Sequence, residues 1–146
     1  MLPRDTAKVT ITLYNFWSPD DGLFSYKRTI LEDCIWRLVE EADNINQGLK
    51  IPETVKIIIP YSYEYFSVQN GEIYEGKGWT IQIGPELIGS YILKGEHSFE
   101  FPIISKDDLL KLHVLSFEKQ FLPRRPTRIV ENFWGSRGLW QVEARC

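Results

Sequence analysis

Cysteine, histidine and methionine are all scarce in this chain: two, two and one in 146 residues. Two cysteines are too few for the disulfide framework of a small secreted domain. Cys34, in an apolar stretch, reads as a small buried hydrophobe. Cys146, the last residue, reads as a free thiol on a frayed end. His97 and His113 lie far apart, and neither stands in an H-E-x-x-H or H-x-E setting, so no zinc ligand set is expected. His113, among Leu112, Val114 and Leu115, reads as a satisfied or half-buried helix residue, and His97, after Gly95-Glu96, as an exposed polar turn residue. Long apolar runs are also missing. No stretch approaches the ~20 residues a membrane helix needs. The opening Met1-Leu2-Pro3-Arg4-Asp5 leads straight into an alternating segment without an apolar leader, so synthesis in a cytoplasm is the expectation. Charge of one sign is lacking too. Seventeen basic and 20 acidic residues leave a net −3, which gives no electrostatic reason for nucleic-acid affinity over the whole surface.

The signatures of catalysis are equally sparse. There is no G-x-S-x-G elbow, and Gly135-Ser136-Arg137-Gly138 has the wrong spacing and reads as a turn. No Walker A or G-x-G-x-x-G loop occurs. Gly76-Lys77-Gly78 runs into Trp79 with no helix behind it to supply backbone N–H groups to a phosphate, so it reads as a hairpin loop. The carboxylate pairs Asp20-Asp21, Glu40-Glu41 and Asp107-Asp108 are sequence neighbours on loops and caps, whereas glycoside hydrolysis needs two carboxylates converging across a cleft. No catalytic, cofactor-binding or metal-binding residue is therefore expected, and the chain does not read as an enzyme. Arg124-Arg125, with Arg128 nearby, is the strongest charge feature. It reads either as a solvated loop or as a contact for an acidic partner or DNA phosphates.

What the chain has in quantity is aromatic and β-branched residues. Five Trp, seven Tyr and eight Phe supply a core for one domain over residues 1–146. Val9, Ile11 and Leu13 alternate with Thr10, Thr12 and Tyr14, the period of a half-buried strand over Lys8 to Tyr14, closed by the turn Ser18-Pro19-Asp20-Asp21-Gly22. From Leu23 a strand runs through Ile30; Leu31 to Val39 fits either strand or helix, and Cys34-Ile35-Trp36 favours a strand continuing after a bulge or bend. Val55, Ile57 and Ile59 mark a strand that Pro60 ends or places at an edge. Further strands are expected at Trp79 to Ile83, at Tyr91 to Lys94 paired with Ser98 to Phe101, at Thr127 to Glu131 and at Leu139 to Ala144. One helix is expected after Ser105, whose spacing to Asp108 suits a capping box, with Leu109, Leu110, Val114 and Phe117 on its inner face. The fold expected is mainly β: a small barrel or sandwich of about seven strands with one short α-helix and long loops. Residues 40 to 53 and 64 to 78 are the long polar loops.

The order of four segments carries a resemblance. They are Ile11-Thr-Leu-Tyr-Asn-Phe16, Tyr26-Lys-Arg-Thr-Ile-Leu-Glu-Asp-Cys-Ile-Trp36, Val55-Lys-Ile-Ile-Ile-Pro60 followed by Trp79-Thr-Ile81 and Gly89-Ser-Tyr-Ile-Leu-Lys-Gly-Glu96, and Glu131-Asn132 through Gly135-Ser136 to Trp140-Gln-Val142. In this order they resemble a family of small head–tail connector and head-closure (stopper-like) proteins from the structural gene block of tailed bacteriophages, especially those of Gram-positive hosts. Members of that family often read Gly-Asp where this chain has Gly89-Ser90, and His where it has Leu139. The resemblance implies a β-barrel subunit of a homo-oligomeric ring, a hexamer or dodecamer, at the head–tail junction of a virion. Its partners would be the portal or adaptor and the tail proteins, with packaged DNA passing through the lumen without sequence-specific binding, and no membrane. On that reading Glu40, Glu41 and Asp43 form a lumen or gate loop. Tyr61, Tyr63, Tyr65, Arg124 and Arg125 are partner contacts. Two other readings stand beside it: another tail component (a tail terminator or tube protein), and a carbohydrate- or peptide-binding module using the aromatics from Tyr61 to Phe66.

Overall fold

A computed structural model describes residues 7–39, 54–68, 73–84, 89–136 and 139–146. Its described residues form six strands and one helix: β1 (Lys8–Asp20), β2 (Leu23–Val39), β3 (Thr54–Pro60), β4 (Tyr91–Lys94), the helix, β5 (Arg128–Asn132) and β6 (Gln141–Arg145). The strands make one antiparallel sheet in the order β4-β1-β2-β3-β6-β5. The two outer strands are brought together by one stretch of chain. Arg124 exchanges backbone hydrogen bonds with Ile92 of β4, at 2.9 Å each way, and β5 begins at Arg128. Four residues reach at most about 14 Å, so the free edges of β4 and β5 approach each other and the sheet curls into a barrel.

β1 and β2 form a long hairpin through Asp21-Gly22, with Gly22 at φ +75°. The register shifts between Val9 and Ile11, opposite Asp33 at φ +60°, and this is the bulge expected in the second strand. The bulge changes which parity faces inward, so Leu31 precedes it and Cys34 and Trp36 follow it against the same core. That interior is filled by Ile11, Leu13, Cys34, Val55, Ile57, Ile59, Ile92, Val142 and Ala144 from the strands, with Trp79 and Ile81 added from the loop that follows β3.

β1 departs from the half-buried expectation, because both of its faces are buried from Ile11 to Phe16. The helix covers the outer face. Lys106–Asp108, a π-helical Leu109–Val114 and Leu115–Phe121 follow one another without a break. The Ser105 hydroxyl accepts the Asp108 N–H at 3.4 Å, one half of the capping box. Leu109, Val114 and Phe117 pack with Tyr14, Phe16, Tyr26, Tyr91, Leu93 and Phe101. The five-residue step from Leu109 to Val114 does not fit an α-turn. The π-turn, with its i→i+5 bonding, brings both onto the covered face.

Two expected strands are absent from the ladder. Ser98 to Phe101 does not pair with β4. The Tyr14 hydroxyl donates to the Phe99 carbonyl at 2.8 Å and that of Ser25 to the Phe101 carbonyl at 3.2 Å, so side chains hold this segment instead. Trp79 to Ile83 likewise lies against β1 through side chains, and only Trp79 makes a bridge, parallel to Tyr65. Cys146 is not frayed. It exchanges backbone hydrogen bonds with Val55 at 2.8 and 3.0 Å, and burial pushes its thiol up to about 12. Burial does the same to Cys34. No described helix is long and apolar enough to cross a membrane.

Candidate interaction surface

The segment 79–82 is tied to β1 by a buried amide network. Asn15, fully buried, donates to the Thr80 carbonyl and to the Ser90 hydroxyl at 2.9 Å, and accepts the Thr80 N–H at 3.2 Å. The Gln82 side chain stands in for a neighbouring strand: its oxygen accepts the Phe16 N–H and its nitrogen donates to the Phe16 carbonyl, both at 2.8 Å. Gly76 and Gly78 hold the approach to this strap at φ +89° and +68°. A Cβ on Gly78 would meet the Glu64 carbonyl oxygen at 1.9 Å, and one on Gly76 would enter the Trp17 ring. Lys27 donates its ammonium to the Gly76 carbonyl. The Gly-Lys-Gly turn is thus packed into the fold, as its reading as a loop implies.

Where the strap meets the projecting end of the β1–β2 hairpin, an open apolar groove of about 350 Å³ forms. Phe16, Trp17, Phe24, Val68, Tyr74 and Ile83 line it, and Ile73 stands 84% exposed beside it. Asp20, Asp21, Glu75 and Lys77, near the lining residues in sequence, are exposed, and the Lys27 ammonium is held at the Gly76 carbonyl. A second open groove of about 640 Å³ lies between β2 and the chain leaving β3, with Glu32, Glu64 and Glu96 in its lining and Tyr63 83% exposed at its side.

The helix presents a second apolar surface. Its inner face is spent on the core, yet Leu112 and Leu115 on the other face are 65% and 54% exposed. Leu122, at the C-terminal cap, is 79% exposed and adopts φ +49°, the left-handed conformation usually given to glycine. Exposed Lys111 and Lys119 flank the two helical leucines.

Residues 6–144 match one family model, described as a family of unknown function (DUF6751). The chain belongs to this family. No curated protein and no solved structure matches it.

The residues singled out from the sequence are distributed unevenly. Glu40, Glu41 and Asp43 lie outside the described residues. Tyr61 and Tyr65 are half-buried in an aromatic cluster with Phe133, Trp140 and Trp79, whose ring centroids lie 4.7–6.4 Å apart in the contacting pairs that include either tyrosine. The Tyr65 hydroxyl donates to Glu131 at 2.6 Å, and burial, then that carboxylate, raises its pKa. Of the three tyrosines only Tyr63 is exposed. Arg124 and Arg125 are half-buried and used inside the molecule, which corrects their reading as a solvated loop. Arg124 closes the barrel through its backbone, and Arg125 stacks 5.3 Å from the centre of the Tyr91 ring. The Tyr91 hydroxyl donates in turn to Glu118 of the helix at 3.1 Å. His113 is half-buried, as expected. His97 is half-buried rather than exposed, because its ring packs edge-on against Phe121 at 5.6 Å. Among the described residues no three His, Cys, Asp or Glu side chains come close enough together to hold a metal.

Proposed function

We propose that this chain is a non-enzymatic structural subunit that assembles into a ring at the head–tail junction of a tailed bacteriophage, as a head-closure (stopper) or connector protein. One observation carries the reading. A well-packed barrel leaves its exposed apolar surface in separate places, among them the outer stripe of the helix and the groove at the hairpin end. A cyclic ring requires two different faces on each subunit, since every copy meets its neighbours head-to-tail. The order of sequence motifs supports the same assignment, and a net charge of −3 suits a lumen that lets DNA pass without holding it. On this reading the portal or adaptor on one side and the tail on the other are the ring's partners.

The test is mass spectrometry and cryo-electron microscopy of purified particles from a phage or prophage that encodes the chain, with and without the gene. The expected result is a hexamer or dodecamer of the chain at the neck, and filled heads that fail to join tails when it is deleted. Infectious, tailed particles that lack the protein would refute the assignment.

A further inference from the structure

Four adjacent strands carry cations side by side in one row across the sheet. Val55, Ile57, Val142 and Ala144 fill the interior, and Trp36 and Ile129 pack against it. Alternation therefore turns Arg37 of β2, Lys56 of β3, Arg145 of β6 and Arg128 of β5 to the outer face. The register sets Arg37 opposite Lys56, Lys56 opposite Arg145, and Arg145 opposite Arg128. At about 4.8 Å per strand the four span roughly 14 Å. Like charges directly opposite one another destabilise a sheet, so the row works against the barrel's own stability. One carboxylate relieves it. Glu143, in the next row, lies 2.7 Å from the Lys56 ammonium and 3.8 Å from Arg145 Nε. The second distance is too long for a hydrogen bond, and Arg145 Nε is buried without an acceptor among the described residues. Arg128 is exposed and makes no ion pair among the described residues. Arg37 is already engaged within the molecule. The other described acids of these strands are turned away or distant. Glu131 has the inward parity and accepts the Tyr65 hydroxyl, and Asp33 stands four residues along β2 from Arg37, roughly 13 Å away. The helix, with Asp107 and Asp108 at its start, packs with Tyr14, Phe16, Tyr26, Tyr91 and Leu93, none of which belongs to the row.

We infer that this face is a contact for the phosphate backbone of double-stranded DNA, with Lys56, Arg145 and Arg128 set against the phosphates. The duplex carries one negative charge per about 1.7 Å of its axis, so a row of this width meets several phosphates at once. Guanidinium forks match phosphate oxygens, and the unpaired Arg128 and the orphaned Arg145 Nε are donors with room for them. The row alongside is Ile35, Ile58, Glu143 and Val130. It offers no aromatic ring for an unpaired base to stack on, which is what single-strand binding relies on. The contact is therefore to duplex backbone and independent of sequence. The net −3 of the whole chain keeps it weak, so that a duplex slides over it. The inference rests on the ring reading for the source of the DNA, and it gives that ring an inner side: the outer face of β3, β6 and β5 turns to the channel.

Fluorescence anisotropy of a labelled duplex of about 20 base pairs, titrated with the full chain at several salt concentrations, tests it. The logarithm of the wild-type binding constant should fall against the logarithm of salt with a slope of about −2 to −3, three cations at about 0.9 each. Arg128→Gln alone, at an exposed position that leaves the fold intact, should make that slope shallower by about 0.9. Arg128→Gln with Arg145→Gln should bind at least about tenfold more weakly at about 50 mM salt, with near-UV circular dichroism unchanged. Lys111→Gln with Lys119→Gln removes the same charge from exposed positions on the helix and should bind as wild type does. No binding at about 50 mM salt with protein up to about 1 mM would overturn the contact. So would helix variants that weaken binding as much as the row variants, since net charge and not this face would then be responsible. Tighter binding to single-stranded DNA or to polyglutamate than to the duplex would overturn the partner. None of these results touches the ring, which is read from virions, and a chain that binds duplex as expected but is absent from virions would keep the contact and lose the ring.

Discussion

Replacing Asn15 by alanine isolates the device that holds the strap against the barrel. Asn15 is fully buried and serves the Thr80 carbonyl, the Thr80 N–H and the Ser90 hydroxyl at once, while Thr80 and Ser90 are themselves fully buried. Alanine leaves both backbone groups of Thr80 without Asn15. A buried polar group stripped of its partner costs about 1–3 kcal/mol, so two such groups and a small cavity sum to about 3–5 kcal/mol. For a chain of this size that lowers the midpoint of thermal unfolding by on the order of 10 °C. Urea titration at 25 °C followed by tryptophan fluorescence measures the loss directly. Ser90→Ala is the second arm: it removes the acceptor of the Gln82 N–H and of one Asn15 N–H while Asn15 keeps its two bonds to Thr80, so about 2–4 kcal/mol is expected, with the Thr80 amide still protected. Hydrogen exchange gives the local signature: the Thr80 amide should lose protection in Asn15→Ala before the amides of the β1–β2 ladder do. A loss below about 1 kcal/mol, or uniform loss of protection across the barrel, would refute the argument that this one side chain replaces a missing strand pairing.

Other outcomes follow from single residues. Gly78→Ala should destabilise by more than about 2 kcal/mol in denaturant titration, because its Cβ would meet a backbone oxygen. Gly22→Ala, at a similar φ but with open space around it, should cost only about 1 kcal/mol. Stability should fall with rising pH between 9 and 12, the ordinary thiol value and the value to which burial pushes Cys34. In that window the unfolded chain has released the thiol proton and the folded chain still holds it. The thiol therefore contributes a loss of at most about 1.4 kcal/mol per pH unit, and Cys34→Ala should make the fall shallower by that amount, the remainder coming from Cys146 and the buried tyrosines, which burial also pushes up. Leu122→Gly should raise stability by about 0.5–1 kcal/mol in urea titration, because glycine adopts the left-handed cap without strain.

Much of the barrel could be read from periodicity. Val55, Ile57 and Ile59 alternate and are all buried, the bulge in β2 falls just before Cys34, and Leu109, Val114 and Phe117 do form the inner side of the helix. The errors share a cause. Alternation reports which residues are buried, not what satisfies their backbone. Trp79 and Ile81 are fully buried as the pattern implies, yet Asn15 and Ser90 side chains take hydrogen bonds that a ladder would make. Phe99 and Phe101 alternate equally well and are held by Tyr14 and Ser25. Arg124-Arg125 reads from sequence as a solvated loop or a partner contact because nothing local reveals that Arg124 pairs its backbone with Ile92 and Arg125 stacks on Tyr91. The apolar groove was out of reach for a related reason. Its walls come from the hairpin, from Val68, from Ile73-Tyr74 and from Gln82-Ile83, segments whose proximity exists only after folding. The leucines on the far side of the helix were visible as letters, but their exposure depends on the π-turn that rotates Val114 inward.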